Sequence, residues 1–186
     1  NGGTKKAILK AALHIISMIK LLSQNKENLK AFLGIIRPPG HHACTQECAG
    51  FCYLNNIILA SKLALEKGYK KIAIIDFDLH TGDGTLRELK GMKDVYFLNL
   101  FCQDQYPFNE AYSFEHHLEE YSSFNHIKNI ALADGTTWKG AYKQSLQKGL
   151  SWFPKKELER KKKFYIDSGQ PSKFWQEYMM QVQSED

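Results

Sequence analysis

The sequence predicts an α/β fold, a doubly wound parallel sheet with helices on both faces, and three observations carry that expectation. Apolar runs of strand length alternate with segments of helical periodicity from Ala31 to Ile166. Lys71 to Phe77 is almost continuously apolar, the composition of a strand buried on both faces of a parallel sheet. Histidines and aspartates stand directly after two apolar runs, at His41-His42 and at Asp76, Asp78 and His80. Open α/β sheets bind ligands beyond the carboxyl ends of their strands.

The elements follow in order. Ala7 to Leu22 is apolar but broken at helical intervals by Lys10, His14, Ser17 and Lys20, so it reads as a buried amphipathic helix with Thr4 as its N-cap. No apolar stretch is read as reaching the ~18 residues of a membrane span, and no signal-peptide pattern opens the chain. Ala31 to Ile36 is a short strand running into a loop over Arg37 to Gly50. Tyr53 to Lys67 has helical spacing and stops at Gly68. The strand Lys71 to Phe77 precedes a short helix around Leu86 to Leu89 and a strand over Val95 to Leu100. A polar and aromatic loop is expected from Phe101 to His126, then a turn at Asp134-Gly135, a helix from Trp138 to Trp152 and a last strand over Phe164 to Ile166. Strand, helix, strand in repetition implies a parallel sheet. No internal repeat or low-complexity linker divides the chain, which reads as a single partial domain over 1–186. A helix before any strand and one short strand after the last helix suggest a sheet incomplete at both ends.

Composition sets loose bounds. The 186 residues are 43% hydrophobic and 24% charged, ordinary proportions for a globular protein. A net charge of +5 comes without an aromatic-interleaved basic stripe, so no direct nucleic-acid binding is expected. The densest basic run, Lys155 to Lys163, contains Glu157 and Glu159 and reads as a solvated helical face. Four cysteines without a secretory context suggest reduced thiols and a cytoplasmic setting, or a nuclear one in a eukaryote.

The chemistry concentrates in two runs, Arg37-Pro38-Pro39-Gly40-His41-His42-Ala43 and Asp76-Phe77-Asp78-Leu79-His80. Imidazoles and carboxylates converging from neighbouring strand ends are what a catalytic metal with a general base requires. A right-handed crossover would make the two preceding strands neighbours and let the side chains meet. Taken singly, the histidines could be surface residues, and Asp76 and Asp78 could cap a strand end. His14 reads as a packing histidine, and His116, His117 and His126 as solvated loop residues. Phe97, Phe101, Tyr106 and Phe108 read as core and loop anchors. Cys44, Cys48 and Cys52 recur every four residues and could form a separate thiolate site.

These two runs, with Gly50-Phe51-Cys52-Tyr53-Leu54-Asn55-Asn56 and the continuation Thr81-Gly82-Asp83-Gly84-Thr85, closely resemble the histone deacetylase and acetylpolyamine amidohydrolase family, in its order and spacing. The Arg-Pro-Pro-Gly form is similar to class II and bacterial members. The similarity is strongest over 29–100 and looser over 1–22 and 129–150, where Asn129 to Thr136 echoes a family segment. The resemblance implies an arginase/deacetylase-like fold and hydrolysis of an acetylated lysine of a protein, or of an acetylated polyamine, with release of acetate. It implies Zn(2+) held by Asp78 and His80, and His42 as general base and then acid, with His41 its electrostatic partner. Asp76 and Asp83 would receive the far N–H groups of the histidines. Gly50 and Phe51 would wall the substrate tunnel. Main-chain oxygens near Asp76, Asp78, His80 and Asn99-Leu100 would correspond to a K(+) site, although Asn99 stands where serine is expected. Cys52 would pack near the tunnel.

The chain departs from the family pattern beyond Thr85. Relatives carry a third zinc ligand, an aspartate, where Phe164 to Gly169 gives way to Gln170-Pro171-Ser172-Lys173; Asp167 is a misplaced substitute. A tyrosine that helps hold the oxyanion in relatives lies beyond the matching region, and such a donor is typically worth ~10²–10³ in rate. The loop after Tyr106-Pro107-Phe108 lacks a glycine-rich run, and Thr81 replaces the usual histidine or glutamine. Two readings follow: a zinc-dependent deacetylase, or a truncated or degenerate domain that binds without turnover. An arginase-like dimanganese site is disfavoured, because the Pro-Pro-Gly-His-His loop is not its pattern. With two ligands, the chain by itself is expected to bind zinc poorly.

Overall fold

Apolar side chains alternate along the central strands, and the alternation builds two cores on opposite faces of one sheet. The computed structural model describes residues 2–24, 33–154 and 165–167. Four parallel strands, β1 (Ile72–Asp76), β2 (Val95–Cys102), β3 (Ile127–Leu132) and β4 (Tyr165–Asp167), lie in the order β3-β2-β1-β4. From β1 and β2, Ile72, Ile74, Val95 and Phe97 point to one face. There they meet Ile19 of α1 (Gly2–Gln24), Ile57, Ala60 and Ala64 of α2 (Asn56–Glu66), Leu86 and Leu89 of α3 (Asp83–Leu89), and Tyr121 of α4 (Phe114–Tyr121). The intervening Ala73, Leu98 and Leu100 point the other way, against Leu146 of α5 (Lys143–Trp152) and Phe153. Period-two alternation thus buries both faces.

The strand order also explains where the helices go. The connections β1-α3-β2 and β2-α4-β3 advance in one direction and place α3 and α4 on the first face. The chain then crosses beneath the sheet through α5 and adds β4 on the far side of β1. Right-handed crossovers running in opposite directions put their helices on opposite faces. The direction reverses between β1 and β4, so the carboxyl end of β1 is the switch point where open sheets form a crevice.

The apolar rows stop at that end. Asp76, Asn99 and Asn129 are in register across β1, β2 and β3, on the same face as Ile74, Phe97 and Ile127. A polar row therefore closes the apolar ones where the crevice begins.

Several elements differ from the sequence-based expectation. Residues 33–36 of the strand expected over Ala31 to Ile36 form no strand; Leu33 and Ile35 are exposed, and the first two residues lie outside the described ones. The expected loop Phe101 to His126 contains α4, capped by the Ser113 side chain on the His116 N–H. It is followed by the edge strand β3, whose Lys128 and Asn129 interrupt the apolar signal. Thr4 lies inside α1, which begins at Gly2. The Trp138 to Trp152 segment is broken at Gly140 into a π turn (Trp138–Tyr142) and α5. His117 and His126 are buried rather than solvated: His126 Nε2 lies 3.0 Å from the Leu89 carbonyl, and His117 sits in a polar network. By length and composition α1 could cross a membrane, with a mean hydropathy of 1.4, contrary to the reading that no stretch is long enough. Its Ile15 and Ile19 pack into the first core. The basic run Lys155 to Lys163, Phe164 of the last expected strand, and Gln170 to Lys173 lie outside the described residues.

Candidate active site

The loop carrying the two histidines is held by hydrogen bonds, and among the described residues no strand precedes it. The His41 carbonyl accepts the Thr85 N–H at the start of α3 (3.0 Å). Asn55, the N-cap of α2, uses both ends of its amide: its oxygen accepts the Ile58 N–H, and its Nδ2 donates to the Ala43 carbonyl and to Thr85 Oγ1. Glycines permit this close packing. A Cβ on Gly84 would fall 2.4 Å from the His42 carbonyl carbon, and one on Gly40 would fall 2.6 Å from the Asn56 nitrogen. The loop is thereby wedged between the amino ends of α2 and α3, above the carboxyl end of β1.

Both histidines are buried there, each against a buried carboxylate. His41 Nδ1 lies 3.0 Å from Asp76 Oδ2, and His42 Nδ1 lies 2.6 Å from Asp83 Oδ1. An ionised carboxylate only accepts, so both rings donate Nδ1–H and a neutral ring keeps its lone pair on Nε2. The rings are 4.1 Å apart between centroids. Burial works against a charged His41, but contact with Asp76, together with Asp78 and Asp83 nearby, outweighs it and holds its pKa above the ordinary value. Asp83 is braced in turn: its second oxygen lies 3.4 Å from the Arg87 guanidinium, which also donates to Glu47.

Asp78 and His80 face the same point. His80 Nδ1 lies 3.0 Å from Asp78 Oδ1, and His41 Nε2 lies 4.0 Å from that oxygen. The His42 and His80 ring centroids are 5.9 Å apart. Two donors each about 2.0–2.1 Å from a tetrahedral zinc ion would stand about 3.3 Å apart, so this pair is spaced like one edge of such a site. The fit is partial. Among the described residues no three His, Cys, Asp or Glu side chains are grouped to hold a metal. Asp167 lies on β4 in register with Ile75, next to the end of β1.

The two residues expected to wall the tunnel separate. Gly50 lies directly on His42; at its φ of +50° a Cβ would stand 2.1 Å from His42 Cδ2. Phe51, with φ +64°, is 89% exposed. Among the described residues, an aromatic ring that meets the histidines is that of Tyr106. It lies edge-on to His42 at 5.0 Å and approaches His80 at 6.3 Å between centroids. Sequence reasoning missed this residue; a Tyr-Pro pair shortly after a strand end was its only signal. Cys52 is buried, and burial pushes its thiol up to about 11, which makes it inert. All four described cysteines are free. The Asn99 amide is engaged by Gly82, Thr81 and Asn129, so it lends no support to the expected K(+) site.

Comparison with known proteins places the chain in a family. A model of the histone deacetylase domain matches residues 1–154. A probable deacetylase of Archaeoglobus fulgidus is 46% identical over 83 residues, 45% of this chain and 23% of that protein. The acetylpolyamine amidohydrolase of Mycoplana ramosa is 39% identical over 98 residues, 53% of this chain and 28% of that one. The crystal structure of an acetylpolyamine aminohydrolase from Burkholderia pseudomallei shares the fold, with a TM-score of 0.60 at 22% identity, over 81% of this chain and 41% of that one. The chain thus spans well under half the length of these relatives. With a family model covering most of its length and paired histidine–carboxylate couples at the switch point of a parallel sheet, the chain belongs to the histone deacetylase domain family.

Proposed function

We propose that this chain supplies the proton-transfer part of a zinc-dependent deacetylase site, acting on the amide of an acetylated lysine of a protein or of an acetylated polyamine. The observation that carries the reading is the pair of buried histidines, each oriented through Nδ1 by its own carboxylate and set beside Asp78 and His80. Asp78 and His80 would hold the metal, with a further donor from outside the described residues. Zinc, when bound, polarises the acyl carbonyl and acidifies the attacking water. His42 Nε2 takes the proton of that water while Asp83 stabilises the imidazolium, then passes it to the leaving amine. His41, kept cationic more readily by Asp76, stabilises negative charge developing beside it. Gly50 and Tyr106 line the approach to His42.

A second reading, a domain that binds without turnover, is favoured by one observation: the described donor set is one short. Zinc stoichiometry and hydrolysis of a fluorogenic acetyl-lysine peptide and of an acetylated polyamine, measured on the protein and on His42→Ala, separate the two. Bound zinc with activity that disappears in His42→Ala supports the deacetylase. Absence of both zinc and turnover supports the non-catalytic domain.

A further inference from the structure

His80 and Asp83 stand on one short segment, and a row of buried polar side chains that the proposed reaction does not use holds that segment in place. Asn99 donates from Nδ2 to Thr81 Oγ1 (2.8 Å) and to Asn129 Oδ1 (2.9 Å), and its Oδ1 accepts the Gly82 N–H (3.3 Å). Thr81 Oγ1 lies 3.1 Å from His117 Nε2, and His117 Nδ1 lies 2.6 Å from the Tyr112 hydroxyl. That hydroxyl donates to Glu120 (3.3 Å), which is paired with Lys90 at the surface (2.8 Å). Thr81, Asn99 and His117 have no exposed surface. The His117 ring is enclosed by Phe101, Phe108, Tyr112 and Tyr121 at 5.2–5.8 Å between centroids.

The donors and acceptors fix a direction. With Tyr112 donating to Glu120, its oxygen accepts His117 Nδ1–H, His117 Nε2 accepts the Thr81 hydroxyl proton, and Thr81 Oγ1 accepts from Asn99. Every group is then satisfied. The opposite direction makes Thr81 accept from both Asn99 and His117 and leaves its own buried proton outside the chain, which buried hydroxyls avoid. Burial pushes the His117 pKa down to about 4, against the nearby Asp83 and Glu120 and with Arg87 and His116 assisting, so the ring is neutral as this direction requires.

We propose that Thr81, Asn99 and His117 are positioning residues, a one-directional hydrogen-bond chain that fixes the His80 to Asp83 segment and so sets the metal-donor pair against the carboxylate that orients His42. The proposal rests on the roles given above to Asp78, His80 and Asp83, but part of its test does not. In ¹⁵N NMR of the protein, His117 should be a neutral Nδ1–H tautomer; a proton on Nε2 would overturn the proposal. Thr81→Val removes the hydroxyl at nearly constant shape, and Thr81→Ser restores it. Thr81→Val should speed exchange of the Gly82 amide and weaken zinc binding by about 10–100-fold, with Thr81→Ser within a few-fold of the parent. In an active preparation kcat should fall while KM stays, since none of the three residues is assigned to the substrate. Unchanged zinc affinity and Gly82 exchange in a folded Thr81→Val would refute the positioning role and leave a merely structural one. Should Thr81→Val not fold, the Gly82 amide of the parent carries the test: it should exchange slowly, and exchange as fast as an exposed loop amide would refute the brace. A parent protein that neither binds zinc nor turns over refutes the deacetylase reading, while the tautomer and the Gly82 exchange still decide the brace.

Discussion

Replacing Gly50 with alanine tests whether the loop that lies on His42 is what holds that ring in place. The added Cβ would stand 2.1 Å from His42 Cδ2. Carbon atoms rest at about 3.5–4.0 Å, so the ring or the loop must yield by about 1.4 Å. Two penalties combine: the left-handed φ of +50° costs an alanine about 1–2 kcal/mol, and overpacking costs about 1–3 kcal/mol. A loss of about 2–5 kcal/mol is expected in urea unfolding followed by circular dichroism. The displacement is large compared with the tolerance of the 2.6 Å His42–Asp83 hydrogen bond, so the Nδ1 proton resonance of His42 should shift or broaden. Misplacement by about 1 Å can lower turnover by roughly 10²-fold, and that loss is expected in an active preparation. A Gly50→Ala protein within about 0.5 kcal/mol of the parent, with an unchanged His42 resonance, would show that the loop does not constrain the ring.

Three further outcomes are expected. The His117 pKa near 4 lies below the ordinary 6.5, so the unfolded chain takes up this proton first as pH falls. Stability from this group is complete above pH 6.5 and is lost down to about pH 4, on the order of 3 kcal/mol. Urea midpoints across that range should fall more steeply for the parent than for His117→Gln, and parallel curves would contradict a buried neutral ring. Asp83→Asn should leave the fold intact but lower kcat by about 10–100-fold with little change in KM, because an amide no longer stabilises the imidazolium of His42; steady-state kinetics decide, and unchanged kcat removes Asp83 from the mechanism. Phe97→Ala should cost about 3–5 kcal/mol and Phe51→Ala less than about 0.5 kcal/mol, since the first ring is wholly buried and the second is 89% exposed. Comparable losses in the two unfolding curves would contradict the exposure of Phe51.

The apolar runs at 71–77 and 95–100, each followed by polar or turn residues, made the parallel sheet legible from the chain itself, whereas the partners expected for His41 and His42 came from the family resemblance. Those signals are local: an unbroken apolar run marks a strand buried on both faces, and turn residues bring the chemistry directly after it. The helix at Phe114–Tyr121 and the edge strand at Ile127–Leu132 were not legible, because polar residues interrupt both and only tertiary packing buries His117 of the helix and the ends of the strand. His117 shows this most clearly. Beside His116 it looks like a solvated pair, yet four aromatic rings and Thr81 enclose it. Tyr106 is similar, since its place against His42 depends on how the loop after β2 returns over the site. By itself, then, the sequence determined where the central strands run and which residues could do the chemistry. Tertiary structure alone decided the strand order, the place of Tyr106 against His42 and the buried chain from Asn99 to Tyr112. Those depend on contacts between residues far apart along the chain, where no short-range pattern specifies the partner.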